Sequence, residues 1–269
     1  MKATVSKTVM GHWPIESSNL SLSARLLKTL SDPPAFTAEE KPKSIVAAAG
    51  AWLAEEMGDG FTFKTSTREL ARMIGGRTEA IVLQSSRWSR AGEGTSVAAR
   101  VMVTDQGVRD WLNNATNELK ALFSSSGFVF NTLLINLEIQ DIELYGPFRQ
   151  QKPGTWLSLT EFVEVLRTQV LPHVVLLRES PSIAAGKLPS RWIWASVGSL
   201  FCWSVARGDR NGARLFLSRY LEATPMYRRN FDRGRQLAVS DEAPPRGNSL
   251  VELGWSAVRS GVLLADEAV

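Results

Sequence analysis

The segment Arg191–Ala206, RWIWASVGSLFCWSVA, constrains the fold most strongly. It reads as a helix opening at Ser190 and apolar nearly all round, and a helix without a polar face has to be buried among other elements. It runs into Arg207-Gly208-Asp209, a tripeptide that adhesion receptors recognise on exposed loops. Local chemistry gives each of these residues another task. Gly208 is a natural helix stop, and Asp209 is a suitable N-cap for a second helix. That helix carries Ala213, Phe216, Leu217 and Tyr220 on one face, with Pro225 just past its end. The expectation is a helical hairpin rather than an adhesion tag, resembling one unit of a helical repeat with a single copy visible.

Upstream, the periodicity changes. FTFK, ELARMI, EAIVLQSSRW and TSVAARVMVT read as strands, with turns at Gly75-Gly76 and Gly92-Glu93-Gly94. In the last of them Val97, Ala99, Val101 and Val103 alternate with Ser96, Arg100 and Thr104. Leu133, Ile135, Leu137 and Ile139 alternate with Leu134, Asn136, Glu138 and Gln140, the pattern of a half-buried strand. Before the sheet, Ser44 is placed to cap a helix bearing Ile45, Ala48, Ala49, Trp52 and Leu53, which ends at Gly58. Asp105 is placed to cap another, with Val108, Trp111, Leu112, Ala115, Leu119 and Leu122 on one face.

From Trp156 onward the chain reads as helical. Ser158 with Glu161, and Ser249 with Glu252, have the spacing of capping boxes. Pro172 should end or kink the first of these helices. The predicted fold is therefore α+β: an antiparallel sheet of about four or five strands flanked by helices, with a mostly helical C-terminal half. The expected layout is an N-terminal arm and linker over residues 1–43, a sheet region over 44–148 and a helical region over 149–269 packed on the sheet as one globular unit. The arm contains a short amphipathic helix with Leu20, Leu22, Leu26, Leu27 and Leu30, followed by the proline-bearing linker SDPPAFTAEEKPK.

Composition narrows the function classes. The single cysteine, Cys202, rules out an internal disulfide. No apolar run is long enough to cross a bilayer, and MKATVSKTVMGHWPIESSNLS lacks the apolar core of a secretory signal. A soluble cytoplasmic protein without a membrane partner is expected. The net charge of +4 permits an acidic partner.

Most motifs of chemistry fail on inspection. His12 and His173 lack ligand spacing, and one cysteine cannot build a thiolate zinc site, so neither metal nor cofactor is expected. In SIAAGKLPS, Pro181 occupies the first glycine position of a phosphate loop, and Leu188 the place of Ser or Thr. GWSAV has Val258 where a nucleophile elbow needs its second glycine. Glu138, Asp141 and Glu143 could bind a metal or trade protons, against the plainer alternative of a solvated strand face.

The most suggestive surface stretch is MYRRNFDRGRQ. Arg228, Arg229, Arg233 and Arg235 are interleaved with Tyr227 and Phe231, which suits an acidic protein surface or, as the alternative, nucleic acid. A plain solvated helix with its aromatics tucked inward has the same pattern. QSSRWSR, with Arg87, Trp88 and Arg90, forms a second, smaller patch.

Two pieces resemble a family of uncharacterised bacterial α+β proteins known as a domain of unknown function. The first piece is GFTFKTSTRELARMIGGRTEAIVLQSS, matching at Gly60, Phe61, Arg72 and Ile81 to Ser85. The second is RWIWASVGSLFCWSVARGDRNGARLFLSRYL, with Ala206 and Ala213 at a close helix crossing. The resemblance implies an architecture shared with immunity proteins, which neutralise toxins of competing bacteria, and it carries no catalytic motif. The helix expected at 105–123 and the N-terminal arm depart from that shorter pattern. The expectation is a non-catalytic binding protein of the immunity or inhibitor kind.

Overall fold

The computed structural model describes residues 30–86, 89–116, 120, 127–151, 154–247 and 249–263. The chain divides into two compact units, Met1–Asp32 and Pro33–Val269. The leucine-bearing helix expected before Leu30 lies outside the described residues.

Helix α1, Pro42–Met57, has Lys41 rather than Ser44 as its cap and so starts three residues earlier than expected, because Pro42 already has the backbone angle a first turn needs. It ends at Gly58 with φ +57°, as expected. The strands are β1 (Thr62–Lys64), β2 (Glu69–Ile74), β3 (Arg77–Ser85) and β4 (Thr95–Asp105). Asp105 then caps helix α2, Gln106–Asn114, accepting from the N–H groups of Gly107 at 2.8 Å and Val108 at 3.3 Å. Val108 and Leu112 of α2 are buried, while Leu119 and Leu122 lie outside the described residues.

Strand β5, Phe128–Leu133, precedes a turn of 3-10 helix at Leu134–Leu137, and β6 follows at Asp141–Tyr145. The single strand expected over residues 133–140 is thus not formed. The burial of Leu134 and Leu137 follows a three-residue spacing, Ile135 stands 52% exposed, and Glu138 adopts φ +62°. A run of alternating leucine and isoleucine satisfies both periods, and here the tighter turn prevails. It has a purpose in the sheet. β5 pairs Arg100–Thr104 and β6 pairs Thr95–Val97, so the two strands share one edge of β4, and the turn carries the chain between them.

Helix α3, Phe148–Gln151, leads to β7, Trp156–Leu157, which pairs in parallel with β6. The sheet has seven strands in the order β1-β2-β3-β4-β6-β7, with β5 also on β4, and is mostly antiparallel. It is larger than the expected four or five strands.

Register fixes the core face. Leu70, Ile81, Leu83, Val97, Ala99, Val101, Val103, Phe130 and Ile142 all point to one side and are all buried. On the same side lie four buried charged residues, Arg72, Arg77, Glu79 and Asp105. Helix α4, Leu159–Val165, begins at the expected capping box, with Glu161 N–H donating to Ser158 Oγ at 3.2 Å and Ser158 N–H to Glu161 Oε2 at 2.7 Å. Pro172 does not end this helix. A π-turn at Leu166–Val170 widens the backbone ahead of the proline, and α5 continues as Leu171–Leu176.

Helix α6, Pro181–Lys187, leads into α7, Ser190–Ala206, the apolar helix. Its Trp192, Ile193, Leu200, Phe201 and Trp203 are buried, and Trp192 stacks on Phe130 at 4.7 Å between ring centres. Burial is not complete, since Trp194 is 47% exposed. The helix breaks at Ser196 (φ −150°, ψ 29°), whose hydroxyl accepts the β5 backbone N–H of Asn131 at 3.2 Å. α8, Arg210–Ala223, completes the expected hairpin, with Ala213, Phe216, Leu217 and Tyr220 all buried.

After a short 3-10 turn, α9 (Arg228–Val239) and α10 (Ser249–Arg259) pack closely on each other, with Arg259 at the end of α10 bonded to Asp241 just past the end of α9. Ser249 is the first residue of α10 rather than its cap, and Glu252 reaches back to accept the N–H of Gly247 at 2.9 Å. No helix among the described residues is long and apolar enough to cross a membrane.

Candidate functional site

Helix α9 carries most of the residues singled out from sequence, and it sorts them onto opposite faces. At about 100° per residue, Arg228, Arg229 and Arg233 fall within roughly 140° of arc, and Phe231, Gly234 and Ala238 lie opposite. Burial follows that division. Arg228, Arg229 and Arg233 are exposed, whereas Phe231 is fully buried. Phe231 is therefore a core residue and not part of any binding surface, which corrects the expectation placed on it. Arg235 is also drawn inward, 13% exposed and paired with Asp232 at 3.5 Å. Tyr227 is half-buried. Met226, 78% exposed, and Val239, 57% exposed, flank the two ends of the helix.

Arg229 and Arg233 have no ion-pair partner among the described residues. They stand four residues apart, where like charges oppose helix formation. Arg228 and Arg229 occupy the first turn, where the helix dipole also disfavours cations. The first turn holds no acidic residue to offset them.

Of the second patch, only Arg90 lies among the described residues. Arg90 is 66% exposed and pairs with Glu93 at 3.7 Å, and Arg87 and Trp88 lie outside the described residues.

Sequence reasoning missed a second concentration of arginine, on the core face at the sheet's end. Glu79 sits between two guanidiniums: Arg72 donates to it at 2.8 Å, and Arg178 donates twice, at 2.6 and 2.8 Å. Asp105 is likewise shared, by Arg77 at 2.6 Å and Arg207 at 2.5 Å. Arg77 also donates to the carbonyl of Leu177, and so ties the end of α5 to the sheet. Burial alone would push both carboxyls up. Hydrogen bonds from Arg178 and the charge of Arg72 outweigh it at Glu79, and hydrogen bonds from Arg207 and Arg77 outweigh it at Asp105, so both lie below their ordinary values. The signal was available, because Arg77 and Glu79 occupy inward positions of the strand that also turns Ile81 and Leu83 inward.

Three of these arginines, Arg77, Arg178 and Arg207, line a cleft of about 540 Å³ between the Gly75-Gly76 turn, the turn after α5 and the α7–α8 turn. The Arg-Gly-Asp tripeptide forms part of its wall. Arg207 reaches Asp105, Gly208 turns with φ +68°, and Asp209 caps α8 through Gly212 N–H at 2.8 Å.

The remaining candidates are dispersed. Glu138 pairs with Arg191, and Glu143 accepts the N–H of Phe148 at 2.6 Å. Asp141 is half-buried, and burial raises its carboxyl above the ordinary value. Among the described residues no group of three or more His, Cys, Asp or Glu is placed to hold a metal ion. His173 bonds the carbonyl of Gln169 at 2.7 Å and stacks on Trp192. His12 is outside the described residues. Burial pushes the Cys202 thiol up to about 12, which removes its nucleophilic character near neutrality. SIAAGKLPS is helix α6 with its turn, and GWSAV lies within α10, so neither forms the loop its motif requires.

No family model matches the chain, and neither the curated proteins nor the solved structures contain a match to it.

Proposed function

We propose that this chain is a non-catalytic binding protein of the immunity or inhibitor kind, which neutralises an acidic partner protein by direct contact through the exposed face of α9. The observation that carries this reading is the arrangement of Arg228, Arg229 and Arg233. Two of the three stand in the helix's first turn and two are an unneutralised like-charged pair, so the sequence works against the stability of its own helix. Such local conflict is expected where a surface serves binding. An acidic surface reverses the sign of both effects, and arginine forks bind carboxylates in a defined geometry. Met226 and Val239 add apolar contact at the two ends of the face.

A nucleic-acid ligand fits less well, because Phe231 is buried and cannot stack on a base. The test is a pull-down from nuclease-treated lysate of the source organism, comparing the wild type with an Arg229→Glu/Arg233→Glu variant. One stoichiometric protein held by the wild type and released by the variant is the expected result. A partner held equally by both, or nucleic acid alone captured when nuclease is omitted, overturns the proposal.

A further inference from the structure

We propose that the cleft walled by the Gly75-Gly76 turn, Arg178 and Arg207 binds a single terminal oxyanion, a phosphate or carboxylate group of a small ligand. This site is separate from the α9 face and does not depend on it. The inference starts from how the guanidiniums are used. Arg77 is consumed structurally, by Asp105 and the carbonyl of Leu177. Arg178 and Arg207 are not. Nη1 of Arg178, and Nε and Nη1 of Arg207, have no acceptor among the described residues, and the two side chains are 30% and 46% exposed. Each is nevertheless held in place by its bond to a buried carboxylate, Glu79 or Asp105, both 2% exposed. A guanidinium that is fixed but incompletely used loses little entropy when it takes a ligand.

Charge points the same way. Each carboxylate is shared by two guanidiniums; the Asp105 triad carries a surplus positive charge, whereas Asp59, 3.9 Å from Arg72, offsets the surplus of the Glu79 group on the side away from Arg178. A concave site with low-dielectric walls focuses that field. Glu179 and Asp209 also line the cleft and limit the ligand. Asp209 is saturated: its oxygens accept from Ser182 N–H at 2.8 Å, from the Ser182 hydroxyl and from Gly212 N–H. Glu179 stands exposed. Two carboxylates at the margin disfavour a polyanion such as a nucleic-acid backbone, and leave room for one oxyanion between Arg178 and Arg207.

The experiment is titration calorimetry of the full chain, at constant ionic strength, with inorganic phosphate and separately with N-acetyl-aspartate. Saturable binding of one or both is expected, and the better probe identifies the group. Arg207→Gln and Arg178→Gln should each weaken it by at least about tenfold, the loss of one charge-assisted contact. Arg207→Lys keeps the charge and the fold but loses the fork, and should weaken binding by less than Arg207→Gln. Arg229→Gln, on α9, should change nothing. Absence of saturable binding with both probes overturns the proposal, as does binding that the folded Arg207→Lys and Arg178→Gln proteins retain at full strength.

Discussion

At the residue scale the controlling groups are Asp105 and Glu79. Each carries out more than one task from a fully buried position. Asp105 joins Arg77 and Arg207 and also caps α2, while Glu79 joins the cross-strand Arg72 to Arg178 from the end of α5. A buried carboxylate with two guanidiniums need not be more stable than an apolar trio of the same volume, but removing one member strands the others. Glu79→Gln should therefore destabilise by about 3–5 kcal/mol in denaturant unfolding, far beyond a surface change. The same groups set the acid limit. Both titrate below their ordinary values of 4.5 for Glu79 and 3.8 for Asp105, because their charged forms are favoured only when folded. Their contribution is thus complete above those values and is lost as pH falls through the lower folded values. Unfolding free energy measured from neutral pH downward should drop steeply below about pH 4.5. Glu79→Gln should flatten that slope. A variant with the wild-type slope would mean that the acid sensitivity originates elsewhere.

At the scale of elements, the tightest packing is the crossing of α9 and α10. A Cβ placed on Gly234 would collide with the carbonyl of Val251, and one on Gly254 with the carbonyl of Phe231. The two backbones touch where both sequences have glycine. Gly234→Ala or Gly254→Ala must push the helices apart, at about 1–3 kcal/mol each, readable as a lower melting temperature with helix content retained. An unchanged melting temperature in both would show that the crossing relaxes freely. This second pair was not legible, because α9 reads as a polar arginine helix and its glycine does not name the element packed against it. The first pair was legible, since Gly208, Asp209 and the apolar stripe of α8 are local signals. So were β1 to β4, which have clear alternation and glycine turns. The failure at residues 133–140 came from a run compatible with two periods, and the choice between them was made by the shared edge of β4, a long-range fact. The arginine triads escaped notice for the same reason: Arg178 and Arg207 meet Glu79 and Asp105 across 99 and 102 residues of sequence. The exposed arginines of α9 could be named from sequence, and the inward turn of Phe231 was one of two arrangements its pattern allowed; the choice between them was made by packing against α10.

For the whole molecule, net charge is +4, and two groups of arginines stand in contrast. Some are locked to buried carboxylates and hold helices to the sheet. Arg229 and Arg233, on α9, have no ion-pair partner among the described residues and stand exposed. Selection for stability alone would not leave them so, and this difference separates binding from folding in a single substitution. Arg229→Glu puts an acid in the first turn of α9 and creates a Glu-to-Arg pair with Arg233 four residues on. Both changes favour the helix, and together they should raise stability by about 0.5–1 kcal/mol in denaturant unfolding. Partner retention should fall at the same time, and the wild-type complex should weaken as salt rises, because rim charges act through screened attraction. The two measurements have to move in opposite directions. A variant that is more stable and still holds its partner would remove α9 from the interface. A variant that loses both stability and partner would show that Arg229 supports the fold, and the case for a binding face built against its own helix would fail.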